Sequence, residues 1–204
     1  MLEYLVLGFT FAFAAAVQPG PLTTYLISQT ISKGWRSTLP ASLAPLLSDG
    51  PIILLVLFLL SHISQFMISI LQILGGLFLL YLSFNAYISW KRYSFERSMK
   101  KLSPAQTLLK AALVNFLNPN PYLGWSLVMG PLLIKGWHES PSYGLALLLS
   151  FYTTIIIVMG GIIIVFAAAR NLGPRLNKML IGISAVALLF FGLYEIYSGG
   201  RVYF

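Results

Sequence analysis

The chain has 204 residues, 58% of them hydrophobic and only 9% charged, with a net charge of +8. A soluble domain carries roughly 25% charged residues, so the composition excludes a soluble globular protein and points to an integral membrane one. The absence of cysteine excludes disulfides, thiol chemistry and thiolate metal sites.

Long apolar stretches lie near 5–31, 39–60, 66–90, 106–134, 142–169 and 179–198, against the ~20 residues a helix needs to cross a bilayer. The connections are short, so one polytopic α-helical domain accounts for residues 1–204. Alanine-rich residues 12–16 follow no basic region, and Glu3 is acidic. The first stretch is therefore expected to be a span rather than a cleaved signal peptide.

The first segment passes through Phe9, Phe11, Phe13 and Ala12, Ala14, Ala15, Ala16 to Gln18-Pro19-Gly20-Pro21 at its middle. Two prolines remove two backbone donors and free carbonyls one turn earlier. In lipid such groups need protein, water or a ligand to satisfy them. The helix resumes through Tyr25 and Gln29, aiming free N–H groups and a positive dipole end at mid-membrane, where a carboxylate would be stabilised. A simple proline kink packed against its neighbours is the alternative.

Lys33-Gly34-Trp35-Arg36 ends this segment, with Trp35 as an interfacial anchor. The second segment carries Asp49 at its middle, beside Pro45, Ser48, Gly50 and Pro51. Asp at a membrane helix centre is scored at roughly +2.5 to +3.5 kcal/mol, and an intramembrane acid marks a functional site by default. It is the one carboxylate expected near the midplane, since Glu3, Glu96, Glu139 and Glu195 fall at ends or in loops. Asp49 is read as a proton carrier or the partner of an ammonium group; bonding to a carbonyl freed by Pro51 is the structural alternative.

The third segment has Gly75-Gly76 and Ser83 at spacings that suit tight helix contact, with Asn85 near its end. A basic loop of about 91–105 follows, expected to face anionic lipid rather than nucleic acid. The second half, from Gln106 and Lys110, reaches Asn115-Phe116-Leu117-Asn118-Pro119-Asn120-Pro121-Tyr122, the densest polar cluster inside an apolar stretch. Its three amides offer donors and acceptors to a zwitterion or to the freed backbone.

Proline pairs at 19/21 and 119/121, Lys33-Gly34-Trp35 against Lys135-Gly136-Trp137, and Pro40 against Pro141 recur at offsets close to one hundred, which points to an internal duplication. Each half, about 1–92 and 106–204, has three segments, so the copies lie in opposite orientations. Such inverted repeats with paired broken helices mark midplane binding sites in transporters. The fifth segment puts Ser150, Tyr152, Thr153 and Thr154 where the repeat would place the counterpart of Asp49. The sixth, with Gly182, Gly192 and Gly199, reads as packing, and the glycine faces of segments three and six permit a homodimer.

Alternate connections hold Lys33, Arg36, Lys91, Arg92, Arg97, Lys100, Lys101, Lys110, Arg170, Arg175 and Lys178, against Lys135 and Arg201 on the other side. By the positive-inside rule both termini lie outside the cytoplasm. Asp49 is expected to couple to protons. Gln18, Pro19, Gly20, Pro21, Asn115, Asn118, Pro119, Asn120, Pro121, Tyr122 and Tyr152 are the expected substrate contacts, with no metal and no cofactor.

The Ala-rich lead into Gln18-Pro19-Gly20-Pro21, Gly34-Trp35-Arg36, Asp49, Leu74-Gly75-Gly76 with Tyr81-Leu82, and Asn115 with Leu117-Asn118-Pro119 together resemble the lysine-exporter (LysE/RhtB) type of translocator. The resemblance covers nearly the whole chain. Where that family commonly has Asn-Pro-Lys, this chain has Asn118-Pro119-Asn120, and Thr38, Ala44 and Ser48 stand where it usually has small glycines. The resemblance implies proton-driven export of amino acids, in the plasma (cytoplasmic) membrane of a prokaryote. A divalent metal-ion exporter is the alternative, though His62 and His138 lie in loops and transition metals favour His or Cys. A membrane-embedded enzyme would need a nucleophile with a base, or a redox pair, and a scaffold would not need two broken helices.

Overall fold

The computed structural model describes residues 1–58, 65–91, 103–170 and 173–201. Arg92, Glu96, Arg97, Lys100 and Lys101 of the basic loop, and His62, lie outside the described residues.

The described residues are helical almost throughout: α1 (Leu2–Val17), α2 (Pro21–Lys33), α3 (Trp35–Thr38), α4 (Ala44–Phe58), α5 (Gln65–Lys91), α6 (Pro104–Phe116), α7 (Pro119–Gly124), α8 (Gly130–Glu139), α9 (Pro141–Arg170) and α10 (Pro174–Gly200). A 3₁₀ turn at Leu39–Leu43 leads into α4, and a π-helical turn at Trp125–Met129 joins α7 to α8. Four stretches are long and apolar enough to cross a membrane: Trp35–Val56, Gln72–Lys91, Pro141–Ala169 and Arg175–Gly200. The pair α1 and α2, bent by 61° at the break between Val17 and Pro21, passes the same test when taken together, as a broken span or a re-entrant loop. The remaining apolar stretch, 106–134, is divided among α6, α7, the π turn and α8. Its second break leaves no single long helix there.

The exterior is apolar. Phe9 and Phe13 of α1, Leu77 and Phe84 of α5, Ile157 and Val165 of α9, and Val186 and Phe190 of α10 are exposed, while Ser48, Asp49, Asn115 and Glu195 are buried. Such an outward apolar coat, with the few polar groups turned inward, is what lipid requires, and the chain is a membrane protein. Small residues let α1, α4 and α6 approach their neighbours closely. Ala12 and Ala16 of α1, Ala44 of α4 and Ala111 of α6 are fully buried.

The most extensive pairing is α5 with α10; α1 packs along α9, and α4 along α6. At the α5–α10 crossing Gly76 and Gly192 meet reciprocally: a Cβ on Gly76 would lie 2.7 Å from the Gly192 carbonyl, and one on Gly192 3.0 Å from the Gly76 carbonyl. Gly199 sits against the Ser69 carbonyl and Gly182 against Trp90, while Ser83 donates to the Ala185 carbonyl at 2.8 Å. The glycine faces of the third and sixth segments are thus filled from within the chain.

Glu195 stands in the last turns of α10, toward the end of its segment, and is buried, 8% exposed. The Ser150 hydroxyl donates to the Leu5 carbonyl at 2.6 Å.

Candidate functional site

At the first break the Gln18 N–H still donates to the Ala14 carbonyl, but Pro19 and Pro21 supply no donors to Ala15 and Val17. The new helix starts on extended Gly20 with Pro21 in its first turn, and no side chain caps it. Thr24 N–H returns to the Gly20 carbonyl, leaving the N–H groups of Leu22 and Thr23 in the first turn, where a helix has no internal acceptor. Both residues line a cavity of about 150 Å³.

The second break reaches the same cavity. Leu117 N–H closes α6 on the Leu113 carbonyl, and Asn118 N–H donates to the Asn115 carbonyl. The Asn118 side chain then accepts from the Asn120 N–H at 3.1 Å, capping α7. Two turns of helix later the π turn places Trp125 inward, 2% exposed.

Asp49 lies between the breaks, 2% exposed. One carboxyl oxygen accepts from Asn115 Nδ2 at 3.0 Å, the other from Trp125 Nε1 at 3.4 Å. Asn115 Nδ2 also donates to Ser48 Oγ at 2.7 Å, and Ser48 donates to the Ala44 carbonyl at 2.9 Å. Asp49 is therefore held by side chains of the fourth segment, not by the backbone around Pro51, through which α4 runs unbroken. A buried charge without such partners would be costly.

Of the residues singled out from sequence, Gln18, Pro19, Gly20, Pro21, Asp49, Asn115, Asn118, Asn120 and Pro121 all line this cavity. Pro119 and Tyr122 are buried outside it, and Tyr152 packs edge-on to Phe151 at 5.1 Å without lining it. The sequence reading missed Trp125 and the apolar wall. That wall is Phe11 and Ala15 of α1 facing Phe151, Ile155 and Met159, spaced by one turn along α9. Gly124 makes room for Phe11, whose ring tip would lie 3.0 Å from an added Cβ. The signal for Trp125 was available: Trp35, Trp90 and Trp137 stand at segment ends, and Trp125 alone sits mid-segment.

The cavity thus has a carboxyl with two donors, a helix start with free N–H groups, amides from both breaks and an apolar side. A cavity of ~150 Å³ admits a molecule of about the bulk of benzene. Among the described residues no group of three or more His, Cys, Asp or Glu is placed to hold a metal ion.

A family model described as LysE type translocator matches residues 13–199, and the chain belongs to that family. No curated protein and no solved structure matches the chain.

Proposed function

We propose that this LysE type translocator exports small amino acids, or closely related zwitterions, from the cytoplasm in exchange for protons. The observation that carries the proposal is the convergence of both helix breaks and Asp49 on one cavity. A zwitterion presents a carboxylate and an ammonium group a few ångströms apart. The uncapped start of α2 suits the first and Asp49 the second, with Gln18, Asn115, Asn118 and Asn120 as the polar surround. The cavity's size and its Phe151–Ile155–Met159 wall suit a small, apolar side chain.

Alternating access by two inverted three-helix repeats, 1–92 and 106–204, is the transport cycle we infer. Its support is an exchange of partners: α1 packs on α9 while α6 packs on α4, each the first half-helix of one repeat on the second segment of the other. The repeat and the basic side chains support six spans with both termini outside the cytoplasm, and the family supports a place in a prokaryotic plasma membrane. Protonation of Asp49 would release the ammonium group, and its deprotonation would prepare the site for the next substrate.

The test is uptake into inside-out vesicles, acidified inside, with a mixed amino-acid panel and mass-spectrometric readout. Accumulation of small neutral amino acids that collapses with the proton gradient is the expected result. A folded, correctly oriented protein that moves no amino acid, or moves a divalent cation instead, would overturn the proposal.

A further inference from the structure

A second buried acid lies behind the breaks. Glu195 of α10 is 8% exposed, and its Oε2 is buried with no hydrogen-bond partner, while the Gln72 side chain of α5 lies beside the carboxyl. It faces a small cavity of about 10 Å³ lined otherwise by Pro21, Gly75, Phe78, Leu79, Val114, Leu117 and Asn118. That is roughly the room one water needs. No other charged or titratable side chain from α2, α5, α6, α7 or α9 lines it. Pro21 and Asn118 form walls of both this cavity and the larger one, so the two are separated only by the breaks themselves.

The breaks also supply an acceptor. Pro121 has no N–H for the Leu117 carbonyl, and the Asn120 N–H is taken by the Asn118 side chain. The Leu117 carbonyl lies directly against Gly75, on the wall of the small cavity. A protonated carboxyl has one O–H to donate, whereas an ionised one only accepts. Protonated Glu195 thus matches a carbonyl that has lost its helical donor, directly or through one water. Ionised Glu195 would set acceptor against acceptor in an apolar enclosure, where unmatched polar groups are expensive.

We propose that Glu195 is a second proton-binding site, whose carboxyl O–H satisfies the Leu117 carbonyl and so ties the seating of the second break to proton binding. The step is simple binding: the carboxylate takes a proton from water, and on release the O–H bond breaks, the proton returns to water and the break loses its donor. This inference deepens the exporter reading and rests on it only for its role in transport.

The experiment is an infrared pH titration of the full chain in lipid vesicles, following the carboxylic C=O band and its shift in heavy water, beside transport stoichiometry. The wild type is expected to show a titrating buried-acid band that is retained in Asp49→Asn and lost in Glu195→Gln. The Glu195→Gln variant is also expected to show a lower proton-to-substrate ratio, measured from the gradient at which net flux reverses. A Glu195→Gln protein with the wild-type band, or with the wild-type ratio, would overturn the proposal. Should Glu195→Gln fail to fold, Glu195→Asp must shift the band, and an unshifted band overturns the proposal equally. A wild type that transports no amino acid removes the exporter reading, while the infrared titration still decides whether Glu195 binds the proton.

Discussion

The two helix breaks look alike in sequence and are finished differently. At Gln18-Pro19-Gly20-Pro21 the chain bends by 61° and starts α2 on a glycine with no capping side chain. At Asn118-Pro119-Asn120-Pro121 the Asn118 side chain closes the new helix itself, 3.1 Å from the Asn120 N–H. The second break thus satisfies its own backbone, while the first leaves helix-start N–H groups in residues that line the cavity, which suits them to the proposed substrate contact. The two second segments differ in the same way. The α4 wall presents Asp49, while the α9 wall presents Phe151, Ile155 and Met159. On the proposed repeat, the two halves would frame the cavity alike while its one carboxyl stands on the α4 side.

The largest expected effect comes from removing the charge on the polar wall. Asp49→Asn keeps the shape and a hydrogen-bonding side chain, so unfolding temperature should change by only a few degrees, as for a ~1 kcal/mol change in a chain of this size. Gradient-driven transport should fall to background in vesicle uptake. Wild-type coupled transport in this variant would mean that the asymmetry between α4 and α9 is not functional.

The next test makes the first break resemble the second. Gly20 is extended, at φ −164, and an added Cβ would meet only the Gln18 carbonyl, 3.9 Å away. Gly20→Asn therefore fits without strain and brings a cap of the kind Asn118 provides. Stability should rise by a few tenths of a kcal/mol, while the apparent KM for substrate rises about tenfold, the loss of roughly 1.4 kcal/mol of binding. Unchanged KM would show that the substrate does not use the α2 N–H groups.

A third test displaces the second break. A Cβ on Gly75 would collide with the Leu117 carbonyl, so Gly75→Ala must push α5 from the break or shift the break toward the larger cavity. Overpacking of this kind costs about 1–3 kcal/mol, which thermal unfolding would read as a lowered midpoint. An unchanged midpoint would show that the contact relaxes freely.

How far these features were legible follows from the range over which each is determined. The breaks were readable because proline acts locally, removing a donor whatever surrounds it. Asp49 was readable because a lone acid in an apolar run is costly wherever the run lies. Trp125 was readable as a tryptophan standing mid-segment, but its partner Asp49 was not, because the pair is brought together by the packing of two segments. Glu195 stands toward the end of its segment, as expected, but its burial was not legible, because that depends on the last turns of α10 packing on α5. The repeated Lys-Gly-Trp landmark shows the limit best. Gly34 has φ +91 and ends α2, while Gly136 sits inside α8, where a Cβ would lie 2.8 Å from the Tyr4 ring. The same three letters end a helix in one half and admit an aromatic ring in the other, a difference that only the packing partners decide.

The smallest expected effect is also the one that most directly separates architecture from function. Asn118→Ala removes the cap on Asn120 N–H and, with it, a polar group from the cavity wall. Loss of an N-cap costs about 1 kcal/mol, readable as a modest fall in unfolding midpoint. If the second break is chiefly architectural, KM should move less than in Gly20→Asn, because the lost group served the backbone first. An equal or larger rise in KM, with the midpoint unchanged, would reverse the ranking of the two breaks. The substrate would then be held at Asn118, and the open start of α2 would be the structural one.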